Sequence, residues 1–417
     1  MDRQRGALNA PIIIGIMIAT FVLIILRRPD IIINAQPWAE DGHVWLAGIY
    51  NDGFWSSVIL PLNGYYQTIS RVTYGIALTF GIQNAALVAN IIAILIRCCF
   101  VGFILSGRMN FLDLKFRLAA AVYFIFMPNV AEGYVNITNA HWYLSMYLLA
   151  VVMAKEPETK SEKAHDLFLV FLSGLSGPFV VFIAPCLLIK RWYQRGGILN
   201  AIKGINLFDI CMSICCLIQV VTILGSSNVA RATAPLGYSF GLLADIVSGR
   251  IIFGSFLAFD DARNMAAHGN INIALFVTLC AVVIVAFLKS GWRVKSLILF
   301  PVLMIGFALA KPVIANDQPQ WPLVFNTESG ERYFYVTNIA LACLALGLIS
   351  KIGHYSKYVL FAGFVAFISL TPHYFKIPGF PDVGYKSDVE KLQALRKGEQ
   401  IKIRILPPGW TMDLIKK

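Results

Sequence analysis

Long apolar runs recur along this chain, and the polar stretches between them are of two kinds. Short ones are rich in lysine and arginine, and long ones carry most of the paired acids, amides and tryptophans. The pattern predicts a series of membrane-crossing helices oriented by the basic loops. Residues 11–26 form the first run. Arg3 and Arg5 precede it, Arg27 and Arg28 follow, and no small-residue cleavage site comes after, so it reads as a retained anchor with a cytoplasmic N-terminus. The second run, 84–106, carries Arg97 near its middle. An arginine facing lipid there costs about 2.5–3.5 kcal/mol, so Arg97 is expected to face the protein interior. Arg108, Lys115 and Arg117 then mark the cytoplasmic side, which leaves 69–83 no room to be a span and lays it along the interface. Residues 118–130 and 140–154 are the third and fourth spans, joined outside by 132–139, with Lys155, Lys160 and Lys163 inside.

Residues 167–189 break the alternation. One crossing there would carry Lys190, Arg191, Arg195 and Lys203 outward. The Gly174-Leu175-Ser176-Gly177-Pro178 interruption suggests a segment that enters, turns and returns; irregular backbone at depth is tolerated where protein or a watery cavity surrounds it. Alternation then resumes with 207–224, 270–288, 296–310, 333–349 and 358–370. The expected fold is an all-α polytopic membrane protein with nine spans and one re-entrant segment in residues 1–371. A tail on the outer side follows at 372–417, with a short helix near 387–396, a strand at 400–406 and a turn at Pro407-Pro408-Gly409-Trp410. The long outer loops are 27–83, 225–269 and 311–332, and 242–259 reads as an amphipathic piece lying on the membrane. No internal repeat of the transporter kind is visible.

Composition agrees. The 417 residues are 58% hydrophobic and 14% charged, with a mean hydropathy of +0.68, more apolar surface than a soluble domain hides. The net charge of +12 resides mainly in the short loops, which orients spans and argues against nucleic acid as a partner. All eight cysteines fall within apolar runs without a CxxC pair, and the six histidines are scattered, so neither a disulfide framework nor a zinc or histidine site is expected.

Chemistry concentrates between residues 36 and 71. Trp38, Trp45, Leu46 and Ile49 share one face at helical spacing, which predicts an interfacial helix with its tryptophans at headgroup depth. Glu40 and Asp41 open it, where the helix dipole favours carboxylates. Neighbouring helical residues point about a hundred degrees apart, so one of the two is expected to face a substrate. An ionised carboxylate there suits a general base for a hydroxyl group. Arg71, Lys311 and Arg332 are the candidate phosphate-binding cations. Tyr65, Tyr66, Trp321 and Trp410 are candidate sugar-stacking groups, and His141 is a candidate hydroxyl partner. Asp260-Asp261 is the rival base. No cofactor is expected, although Glu40, Asp41, Asp260 and Asp261 have the oxygen chemistry of a divalent-metal cage.

The Trp38-Ala39-Glu40-Asp41-Gly42 stretch after the first span, Gly64-Tyr65-Tyr66 with Ser70-Arg71, the break at Gly174–Phe179 and Glu331-Arg332-Tyr333-Phe334 resemble the GT-C superfamily of integral-membrane glycosyltransferases. At the level of organisation the whole chain is similar to the phage-encoded serotype-converting O-antigen glucosyltransferases of enteric bacteria. That resemblance implies an inverting transfer on the periplasmic face of the bacterial inner membrane. A sugar, glucose in that family, passes from undecaprenyl phosphate to a hydroxyl of lipid-linked O-antigen. It also implies that Asp41 or Glu40 is the base, and that arginine or lysine steadies the departing phosphate. The competing reading is a flippase or transporter of lipid-linked sugars.

Overall fold

The structure, a computed structural model, describes residues 8–226, 234–315 and 317–417. Arg3 and Arg5, and part of the expected outer loop 225–269, lie outside the described residues. Helices dominate, in the order α1 (Ala10–Arg27), α2 (Thr68–Leu78), α3 (Ala85–Leu105), α4 (Leu114–Phe126), α5 (Ala140–Met153), α6 (Lys160–Gly174), α7 (Phe179–Arg195), α8 (Leu207–Gly225), α9 (Gly269–Lys289), α10 (Trp292–Ala310), α11 (Tyr335–Ile349), α12 (Ser356–Leu370) and the tail helix α13 (Tyr385–Ala394). Shorter turns connect them.

Among the described residues, seven helical stretches are long and apolar enough to cross a membrane: Ala10–Arg27, Ile82–Leu105, Leu207–Gly225, Gly269–Lys289, Trp292–Ala310, Glu331–Ile349 and Gly353–His373. They coincide with seven of the nine expected spans. The other two are α4 and α5, of 13 and 14 residues. At 1.5 Å per residue each is about 20 Å long, short of the roughly 30 Å of a hydrocarbon core. Both stop early because the loop between them, 127–139, sinks into the molecule. Its residues Tyr134, Val135, Ile137 and Thr138 are buried, and their surroundings are protein. Arg97 faces inward as expected: its guanidinium donates to Ala93 O and Gly133 O and lies 3.7 Å from the Tyr143 ring centroid.

α6 and α7 form a helical hairpin in place of a single 167–189 crossing. Thr159 and Glu162 cap the start of α6 reciprocally. The turn between the helices reaches the first long loop: Gln67 pairs with Ser176, Thr68 N–H donates to Leu175 O, and Gly177 N–H to Tyr66 O. The far ends of both helices return together, where Lys190 and Arg191 pair with Glu156, and Arg191 also with Asp209. Arg108–Asp166 and the Arg293 bond to Met153 O lie at that same, basic end. Loops 27–83, 127–139 and 311–332, together with the tail, cluster at the opposite end.

The tail pairs β1 (Gln400–Ile405) with β2 (Trp410–Ile415) in antiparallel register, Ile403 opposite Met412. The second strand was not part of the expected tail. Its alternate residues Met412 and Leu414 are buried with Ile403 and Ile405. The tail closes over the first loop: Leu406 exchanges backbone hydrogen bonds with Pro37 and Ala39, Gln36 bonds Pro381 and Val383, and Asn51 bonds Asp413 and Ile415. The expected surface piece 242–259 is instead packed into the protein. Arg250 is buried there between the Phe259 and Phe334 rings, 4.9 and 5.0 Å from their centroids.

Candidate active site

The stretch from Pro37 to Leu46 turns sharply before it becomes helical. Trp38 runs alongside Leu406, Ala39 takes a positive φ of 45°, and the first turn, Asp41–Leu46, is wound wider than an α-helix. Asp41 and Trp45 therefore point the same way, into the 137–138 loop. The Asp41 carboxylate accepts hydrogen bonds from Thr138 N–H at 2.8 Å and Ile137 N–H at 3.1 Å, and the Trp45 indole donates to Thr138 Oγ1. Trp45 is wholly buried, not at headgroup depth, because this wider winding turns the expected membrane face of the helix into the core. Burial pushes the Asp41 carboxyl well above the usual range. The two backbone N–H groups pull it back, and neighbouring Glu40 pushes it further up.

Glu40 points elsewhere. It lines a cavity of about 240 Å³ enclosed by the first loop, the 138–142 segment, the start of α7, the end of α10 and the 313–333 connection. Lys311 and Arg332 share this cavity with Glu40, as do Tyr65 and His141. Its far side is apolar, formed by Phe182 of α7 and Met304, Phe307 and Ala308 of α10. Glu40 and Lys311 make no side-chain hydrogen bond or ion pair with the described residues. Arg332 is held: Glu132 takes its Nη1 and backbone N–H, and Val313 O accepts from Nη2 at 3.1 Å. The His141 ring stacks on Phe179, centroids 5.4 Å apart, above the hairpin turn.

Other expected site residues lie apart from this cavity. Asp41 is sealed beneath it. Arg71 is buried 4.9 Å from the Trp45 ring centroid with an unpartnered Nε, and burial pulls its pKa down. It is packed against the base of the site and does not line the cavity. Tyr66 uses its backbone to hold Gln219 and Gly177, and its side chain is not part of the lining. Trp410 starts β2, half-exposed with its edge toward His43, and Trp321 donates to Leu309 O; neither lines the cavity. Asp260 is exposed and paired with Arg263 on a separate short helix. Among the described residues no three His, Cys, Asp or Glu side chains gather in a way that could hold a metal ion. Glu40, Asp41, Asp260 and Asp261 therefore build no oxygen cage.

The structure adds residues that the sequence reading did not place in a binding site, Trp38 among them, which it had put at headgroup depth. Trp38, Gln67, Asn139 and Trp142 line the cavity, and Glu132 fixes Arg332. The Gln67 Oε1 and the Trp142 indole N–H are buried without partners. The available signal was Glu132, the only acid in the 131–139 loop. A scan against protein-family models gives no match, and searches of curated proteins and of solved structures give none either.

Proposed function

We propose that this chain is an inverting glycosyltransferase that takes its sugar from a polyprenyl phosphate, with Glu40 as the general base. The observation that carries the reading is one cavity that holds an unpaired carboxylate and two cations on one side and an apolar seam between α7 and α10 on the other. A lipid-phosphate sugar has that same division of chemistry. Its prenyl chain follows Phe182, Met304 and Phe307, and its phosphate lies toward Lys311 and Arg332. Its sugar rests among Tyr65, His141 and Trp142.

Glu40 removes the proton from the acceptor hydroxyl. The oxygen attacks the anomeric carbon opposite the phosphate, the C–O bond to phosphate breaks, and the polyprenyl phosphate leaves with the electron pair. Charge-assisted hydrogen bonds to that anion contribute about 1.5–3 kcal/mol each. Lys311 has no other partner to give up, and Glu132 aims Arg332 in advance. The donor is proposed as undecaprenyl-phosphate-glucose and the acceptor as lipid-linked O-antigen at the periplasmic face.

The test supplies purified protein in detergent with both substrates. Transfer by the parent and by a folded Asp41→Asn variant, and its loss in Glu40→Gln, is the expected result. Undiminished transfer by Glu40→Gln overturns the assignment. Absence of transfer combined with lipid translocation in liposomes favours a flippase.

A further inference from the structure

A second cavity, of about 260 Å³, lies at the other end of the molecule from Glu40. It runs between α4, α5, α10 and α11 and opens toward their basic ends. Phe124, Met146, Leu149, Leu297 and Leu344 make its walls almost entirely apolar. Its mouth is charged. Arg117 of α4, Arg293 in the first turn of α10 and Lys351 just beyond α11 all line it, and no carboxylate does. Arg293 donates from Nε to Met153 O at 2.9 Å and lies flat against Phe111 and Trp292, 4.2 and 4.5 Å from their centroids. Neither Arg293 nor Lys351 is paired with a carboxylate among the described residues. Gly347, on the wall, faces open space where a Cβ would stand.

We propose that this cavity is a binding site for an anionic phospholipid of the surrounding membrane. Its acyl chain fills the apolar pocket and its phosphate is held by Arg293 and Lys351. The charge balance selects this occupant. A neutral sterol or an uncharged hydrocarbon chain leaves these cations unused, and a small soluble anion leaves the apolar pocket empty. A membrane lipid satisfies both, at the end of the bundle where the basic loops gather. Two cations beside an anionic headgroup give a headgroup preference of about tenfold or more. The site is separate from the Glu40 cavity, and its occupancy does not depend on the proposed transfer.

Native mass spectrometry of the detergent-purified full chain, given phosphatidylglycerol or phosphatidylcholine, tests this. The expected result is retention of phosphatidylglycerol about tenfold better than phosphatidylcholine. Arg293→Ala with Lys351→Ala should erase that preference. Gly347→Phe, which fills the pocket and leaves the cations in place, should lower retention of both lipids. A parent that retains the two equally, or a preference that survives in the double variant, overturns the proposal. So does full retention in Gly347→Phe. The two variants alter different parts of the site, so misfolding of one leaves the other decisive.

Discussion

Glu40 and Asp41 are adjacent and chemically alike, yet their surroundings give them different work. Asp41 closes two backbone N–H groups of the 137–138 loop, and replacing it with Asn puts an amide N–H₂ where an acceptor is needed. Asp41→Asn is expected to lower stability by about 1–3 kcal/mol, read as a lower denaturation midpoint, and to keep measurable transfer. Glu40→Gln should keep its melting temperature and lose about 10²–10⁴-fold in kcat, the usual worth of a positioned general base. The unpartnered Trp142 indole makes a further test. Trp142→Phe removes a buried N–H that has nothing to bond, so stability should hold or rise while kcat/KM falls about tenfold, the worth of one lost hydrogen bond. A drop in stability with unchanged kcat/KM would show the indole to be packing only. Helical spacing led the sequence reading to expect that the two acids point different ways, and they do: Asp41 meets the 137–138 loop and Glu40 lines the cavity. That reading could not say which does which, because that depends on the position of the 137–138 loop, about a hundred residues away.

Among the elements, the α6–α7 hairpin holds the cavity floor. Gly177 occupies φ +94°, and a Cβ there would stand 3.1 Å from His141 Cδ2. Gly177→Ala is expected to cost about 1–3 kcal/mol and to move His141, which would appear as a raised KM for the donor with little change in overall helix content. The tail is the second such element, and its internal stability is linked to pH. Arg404 and Lys391 hold the buried Asp388 carboxylate well below its ordinary range. An acid with a depressed folded pKa stabilises above its unfolded value of about 3.9 and loses that contribution as pH falls through the acid range. Resistance of the tail to proteolysis should therefore decline below about pH 4 in the parent, and Asp388→Asn should start lower and show a flatter decline. Both elements were visible in the sequence, the hairpin from its Gly-Pro interruption and returning basic residues, the tail from its expected helix and its strand at 400–406. The short α4 and α5 were not. Their apolar patterns look like ordinary spans, and only the buried 127–139 loop explains why they stop.

At the scale of the whole molecule, α1, α9 and α12 leave most of their apolar surface uncovered, as helices solvated by lipid do. Buried polar residues instead lie where protein meets them: Gln219 of α8 accepts from Tyr66 N–H and donates to Gly174 O, tying the hairpin turn to the first loop. The two ends of the bundle differ in charge. Arg108, Arg117, Lys190, Arg191, Arg195 and Arg293 gather at one, while the Glu40 cavity and the tail occupy the other. If the positive-inside rule governs insertion, the cavity faces away from the cytosol, on the side where the proposed donor and acceptor would meet it. Single cysteines at two exposed positions separate the ends: Asp52→Cys in the first loop and Lys160→Cys at the start of α6. A membrane-impermeant maleimide applied to intact spheroplasts should label Asp52→Cys above the parent's own background and reach Lys160→Cys only after permeabilisation. The parent is the needed control, since Cys99 is exposed on α3, although it lies in an apolar helix where a charged reagent reacts poorly. The reverse pattern would put Glu40 in the cytosol, and a periplasmic transfer would then have no route to its base.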